Sequence, residues 1–141
     1  MTDLKCISPI DGSVFATRPA MSADAVNTRL ATMRRAQKAW AARPLAERVD
    51  LVRAGVAALG AMNDEVVPEL AHMMGRPVRY GGEFGGVNER TQYMASIAAD
   101  ALKPIVAEDS DHFERRIAFE PHGIVLVIAP WNYPYLTAIN T

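Results

Sequence analysis

The segment Gly123-Ile124-Val125-Leu126-Val127-Ile128-Ala129-Pro130-Trp131-Asn132-Tyr133-Pro134 constrains the fold more than any other part of the chain. Its apolar run has no period-two alternation, so the strand it predicts is buried on both faces, as in sheets covered by helices. Such a strand pairs with parallel neighbours, and each neighbour needs a crossover of about a dozen residues or more. Only residues 135–141 follow it. The sequence therefore predicts the front portion of a larger α/β protein. Its chemistry is expected at the C-terminal end of this strand, where open α/β sheets place their ligands.

Upstream, helices dominate. Ser22 is a candidate N-cap with Asp24 in the first turn. Val26, Leu30, Met33 and Trp40 then share one face, interrupted only by Gln37. Pro44 suits the first position of a second helix, whose stripe is Leu45, Val49, Val52, Val56 and Leu59. Asn63 is read as the cap of a third helix, in which Pro68 predicts a kink or a later start. Gly75 followed by Pro77 stops it. The glycine-rich stretch 75–86 reads as a flexible connection. A fourth helix is expected over about Val87 to Leu102, with Met94, Ile97, Ala98 and Ala101 buried and Pro104 as its terminator. Short strands Leu4 to Ile7 and Val14 to Thr17 flank a turn containing Asp11-Gly12. Beyond an acidic turn, Glu108-Asp109-Ser110-Asp111, the residues Phe113, Ile117 and Phe119 alternate with charge as in a half-exposed strand, and Arg115 breaks the apolar side.

Fifteen basic against sixteen acidic residues leave a net charge of −1 and no basic stripe, which argues against nucleic acid or an anionic membrane as partner. No apolar stretch reaches the ~20 residues of a membrane span. The N-terminus has no signal-peptide core, so a cytoplasmic protein is expected. The single cysteine, Cys6, excludes an internal disulfide and any multi-cysteine metal site. His72, His112 and His122 lack metal-ligand spacing, so no metal is expected. The glycine stretch lacks the Lys-Ser/Thr ending of a phosphate-binding loop. Cys6 precedes the first turn, away from any helix N-terminus that would activate its thiol.

Asn132 stands apart. Its N–H₂ can donate into a shielded space at the end of a buried strand, which suits an oxyanion developing in acyl-transfer chemistry. Pro130 and Pro134 stiffen the backbone on either side. Asparagine is also a favoured N-cap, so residue chemistry alone leaves open whether Asn132 only caps the helix that follows. On the same grounds Trp131 reads as core rather than as the wall of a cofactor site.

Together these residues resemble the NAD(P)-dependent aldehyde dehydrogenase superfamily. Pro130-Trp131-Asn132-Tyr133-Pro134 after the run 123–129 looks like the family's signature. Ser8-Pro9-Ile10-Asp11-Gly12, Ala36-Gln37-Lys38-Ala39-Trp40, Arg43-Pro44-Leu45-Ala46-Glu47-Arg48 and Met74-Gly75-Arg76-Pro77 resemble its opening turn, first helix pair and third helix exit, in the same order. The resemblance implies an α/β fold: an N-terminal helical segment plus the first strands of a Rossmann-type cofactor domain, incomplete in this chain. Residues 1–104 would be the helical part, 105–121 an oligomerisation-type strand pair, and 122–141 the first buried strand and the start of the next helix. It implies that Asn132 is the oxyanion-hole asparagine and that Ile128, Ala129, Pro130 and Trp131 line NAD or NADP. It further implies that Tyr133 belongs to the substrate tunnel, and that the complete protein takes a small-molecule aldehyde as a homodimer or homotetramer. His122 departs from the leucine-like residue expected there.

The family's catalytic cysteine, general-base glutamate and cofactor lysine lie downstream of this motif. The expectation is thus the N-terminal part of an oxidoreductase that works through a cysteine thiohemiacetal, with residues 1–141 inactive alone. The competing expectation is a non-catalytic helical interaction module or an inactive truncated remnant. An unpaired apolar strand also predicts poor solubility or partial disorder after about residue 105.

Overall fold

Residues 3–141 are described by a computed structural model. The chain opens with an antiparallel hairpin, β1 (Asp3–Ile7) and β2 (Val14–Pro19), with a register shift between Cys6 and Ile7. Its turn is closed from within. The Ser8 N–H donates to the Ser13 carbonyl at 2.8 Å, and the Ser13 N–H and hydroxyl donate to Asp11 Oδ1 at 3.0 and 2.7 Å. Those Ser13 bonds hold the Asp11 carboxyl below the usual carboxylate range. The hairpin meets the helices through Phe15, whose ring stacks on His72 at 4.9 Å between centroids.

Helix α1 (Ala23–Ala41) is capped as the sequence implies, with the Ala25 N–H donating to Ser22 Oγ at 3.2 Å. Its expected apolar face is left uncovered: α1 buries no residue, and Val26, Met33 and Trp40 are exposed. Helix α2 (Leu45–Ala61) begins one residue after Pro44, which takes the cap position rather than the first helical one. Met62 both ends α2 and starts α3 (Asn63–Met74). Asn63 is therefore the first residue of α3 and not its cap. Its carboxamide oxygen fills the space where a Cβ at position 82 would otherwise stand. Pro68 neither delays nor interrupts α3. As the sixth residue of α3 it lies past the first turn, so its missing N–H leaves the Asp64 carbonyl without an i+4 donor, a cost the helix absorbs.

Gly75 ends α3 with φ 77°, and its N–H donates to the Ala71 carbonyl at 2.9 Å. A Cβ here would lie 3.2 Å from Pro9 Cγ, in the hairpin turn. Gly75→Ala is expected to cost about 1–2 kcal/mol, the penalty for a side chain in left-handed backbone, and Gly75→Asn less, because asparagine tolerates that region. Thermal melts of the two variants check the order.

A single 3₁₀ turn, Val78–Tyr80, follows, and α4 then runs from Phe84 to Ala101. It starts three residues earlier than expected and takes Gly85 and Gly86 into its first turn, so the glycine stretch is partly helix rather than loose connection. The buried side of α4 is also displaced towards its start: Val87 and Thr91 are buried, whereas Met94 and Ile97 are exposed. The reason is where its neighbour lies. α4 packs on α2, and the core sits where α2, α3 and the first half of α4 converge, on Val56, Val66, Leu70, Ala71 and Val87.

A second hairpin, β3 (Ile105–Asp109) and β4 (Glu114–Ile117), includes Glu108 and Asp109, read earlier as turn residues, and ends before Phe119. Arg115 is accounted for by Glu108, 2.8 Å away across the pair, and by stacking on Phe113. From residue 118 to 130 the chain carries no strand pairing. The buried strand expected at 123–129 is not formed: Leu126 is 83% and Ile128 84% exposed. A strand exists through its ladder, and no described segment supplies a partner for this one. A short helix, α5 (Pro134–Ala138), closes the described chain and packs on α4. Among the described residues no helix is long and apolar enough to cross a membrane.

Candidate functional site

The six residues singled out by sequence are consecutive, and the structure presents them as one surface strip. Ile128, Ala129 and Pro130 have no regular secondary structure, Trp131 and Asn132 form a turn, and Tyr133 occupies the cap position of α5. Trp131 is 73% exposed, so its indole is not the core residue that local chemistry suggested. Asn132 and Tyr133 are exposed as well. The capping alternative for Asn132 is not realised. The residue in the cap position is Tyr133, and no side chain of the cap bonds the first turn of α5.

What fixes this turn comes from far upstream. Arg76, just past the end of α3, donates from Nη2 to the Asn132 backbone carbonyl at 2.7 Å. The same nitrogen lies 3.0 Å from Glu83 Oε1. The guanidinium carbon also stands 4.8 Å from the centroid of the Tyr133 ring, within cation–π range. Glu83, at the N-cap position of α4, turns its other oxygen, Oε2, to accept from the Leu136 N–H at 2.7 Å. The Glu83 side chain is 1% exposed and that of Arg76 11%. Close packing completes the seat of α5: a Cβ at Gly86 would come 3.3 Å from Leu136 Cδ1.

Arg76 and Glu83 were not identified as site residues from sequence. Arg76 appeared only in a helix exit, and Glu83 in a connection. The available signal was a lone carboxylate inside a glycine-rich stretch, Gly81-Gly82-Glu83-Phe84-Gly85-Gly86, where the chain is narrow enough to bury it. Tyr135 was likewise unremarked. Burial first, and then the neighbouring Glu69 and Glu83 carboxylates, push its hydroxyl pKa up. The phenol stays protonated at neutral pH and can donate but not act as a base. Cys6 lies half-buried on β1 opposite Ala16, in a hairpin that contains none of residues 128–133.

Chemically, the arrangement offers an exposed carboxamide, flanked in sequence by Trp131 and Tyr133, on a turn whose backbone carbonyl is held by an arginine paired with a buried glutamate. The comparisons with known proteins bear on what such a turn does. The profile of the aldehyde dehydrogenase family matches residues 1–141. A Mycobacterium ulcerans protein provisionally named succinate-semialdehyde dehydrogenase [NADP(+)] 2 is 31% identical over 135 residues, which cover 92% of this chain and 26% of that protein. The crystal structure of an NAD-dependent benzaldehyde dehydrogenase from Corynebacterium glutamicum superposes with a TM-score of 0.84 at 26% identity, over 99% of this chain and 30% of that one. An NADP-dependent glyceraldehyde-3-phosphate dehydrogenase from Bacillus halodurans C-125, complexed with NADP, gives 0.75 at 27% identity, over 98% and 30%. The chain thus spans about a quarter of the length of the curated relatives it matches.

Proposed function

The chain belongs to the aldehyde dehydrogenase family, and on that premise we propose that it supplies the oxyanion donor and one wall of the cofactor site of an NAD(P)-dependent enzyme that oxidises an aldehyde to a carboxylic acid. The observation that carries this reading is the clamped turn at Asn132, whose carbonyl is held while its carboxamide projects from an exposed surface.

In this reading the Asn132 N–H₂ donates to the aldehyde oxygen, polarises the carbonyl, and stabilises the negative charge that develops when a thiolate adds to the carbon. Tyr133 borders the substrate. The thiolate and the general base come from polypeptide outside residues 1–141, because Cys6, the one cysteine here, is a half-buried residue of the first hairpin and not part of the 128–133 turn. The dinucleotide, when bound, accepts the hydride, so that aldehyde, NAD(P)⁺ and water give carboxylate, NAD(P)H and two protons. Ile128, Ala129, Pro130 and Trp131 fit that group as one wall: the Ile128 and Trp131 side chains are bare apolar surface of the kind a ring or ribose covers. The bare run 124–128 suits the first strand of the cofactor domain's sheet, awaiting neighbours on both edges. The hairpin at 105–121 suits the strand pair through which subunits of a homodimer or homotetramer join, since its apolar residues Ile105, Val106, Phe113 and Ile117 all face solvent.

Two expressions test the proposal: residues 1–141 alone, and the product of the whole gene with whatever follows residue 141. Aldehyde-dependent NAD(P)H formation is expected from the second and not from the first. Its absence from the second across aromatic, aliphatic and acidic aldehydes would overturn the reading.

A further inference from the structure

We propose that Arg76 and Glu83 are positioning residues for the Asn132 carboxamide, an inference that rests on the oxyanion role given to Asn132 above. Burying a carboxylate is costly unless charge and hydrogen bonds replace the water it loses. Glu83 has one of each: Oε1 faces a charge at ion-pair distance without a hydrogen bond, and Oε2 accepts a hydrogen bond. Oε1 pairs with the guanidinium that holds the Asn132 carbonyl. Oε2 accepts from the Leu136 N–H, the second backbone donor of α5, since Pro134 has none. That donor is an orphan of the helix start, and Tyr133 in the cap position does not serve it. Glu83 therefore caps α5 from a different helix.

The two residues fasten the turn at both ends. Arg76 holds the carbonyl of the residue that bears the carboxamide, and Glu83 holds the helix that starts two residues later. Pro134 restricts the backbone between these points. Arg76 contributes in two ways: one nitrogen, Nη2, stands between Glu83 and the Asn132 carbonyl, and the flat cation lies over the Tyr133 ring, the part a lysine does not copy. Placement has catalytic weight because an oxyanion donor must lie about 2.7–3.1 Å from where the charge develops. A misplacement of about 1 Å can cost on the order of 10²-fold in rate.

The test is a double-mutant cycle in the whole gene product, reading kcat and KM separately. Arg76→Lys is expected to lower kcat by roughly 10- to 100-fold with little change in KM, and to have almost no further effect when Asn132 is already alanine. The same loss from Arg76→Lys in both backgrounds, or none in either, overturns the inference while leaving the role of Asn132 intact. An Asn132→Ala variant of undiminished kcat overturns the oxyanion reading itself, and this inference with it. Glu83→Gln provides a second arm should Arg76→Lys fold poorly. It keeps an acceptor for Leu136 but removes the charge facing Arg76, and it should show the same dependence on Asn132, with a smaller loss than Glu83→Ala. Independently of turnover, Glu83→Ala should speed hydrogen exchange at the Leu136 amide of the 141-residue chain by at least about tenfold, the consequence of losing its acceptor. An unchanged exchange rate there counts against the clasp.

Discussion

Replacing Asn132 with alanine is expected, on the proposed oxyanion role, to lower kcat of the whole gene product by about 10²–10³, the usual loss when one oxyanion donor is removed. The substitution takes away only the carboxamide. The Arg76 bond is made to the backbone carbonyl, and the Glu83 bond to Leu136, so both survive in the variant. The fold and the cofactor wall at 128–131 should therefore persist, with an unchanged melting temperature and a KM for dinucleotide close to that of the parent. Steady-state kinetics over a range of aldehyde concentrations checks this. A fall confined to KM would assign Asn132 to ground-state binding instead.

The largest expected effect on stability is at Leu70. Its side chain is buried on α3, in a small core shared with Val56, Val66, Ala71 and Val87. Leu70→Ala removes three carbons and leaves a hole that close-packed neighbours fill only in part, at a cost of about 2–5 kcal/mol. Domains are stable by only about 5–15 kcal/mol. A core this small, beneath so much bare apolar surface, places the chain at the lower end of that range. The variant is expected to keep at most about 3 kcal/mol of stability, measured as a fall in the urea midpoint of helical circular dichroism. By contrast, Met94→Ala, at a position that the sequence assigned to the buried face and the structure leaves exposed, should move that midpoint by less than about 1 kcal/mol.

Local signals were legible where local chemistry decides the outcome. Ser22 caps α1, Gly75 ends α3 in the left-handed region, and the Asp11-Gly12 turn closes the first hairpin, each through bonds among residues a few positions apart. Legibility failed where a partner decides. The stripe on α1 and the run at 124–128 have the patterns of buried elements, yet the described chain gives them nothing to be buried against. Met94 and Ile97 lie on the regular apolar face of α4, but its packing against α2 and α5 leaves them exposed. Asn63 has the chemistry of a cap and is displaced by one residue because Met62 already links two helices.

The site divides along the same line. Residues 128–133, the proposed site, stand out in the sequence because they are contiguous and carry a recognisable pattern. Arg76 and Glu83 do not, because their importance arises only when positions 56 and 53 residues apart meet. No periodicity or spacing rule reports such a meeting. A glycine-flanked carboxylate signals at most that it can be buried, not what it will hold.

The clasp also imposes an order on synthesis. Arg76 and Glu83 leave the ribosome well before Asn132 and Leu136, and chains generally fold from the N-terminal side as they emerge. The receptor half of the clasp can thus be assembled on α2, α3 and α4 while the incoming segment is still being translated. On this order Asn132 and Leu136 meet residues already in place, and the apolar stretch ahead of them, which emerges first, gains its tether only when they follow.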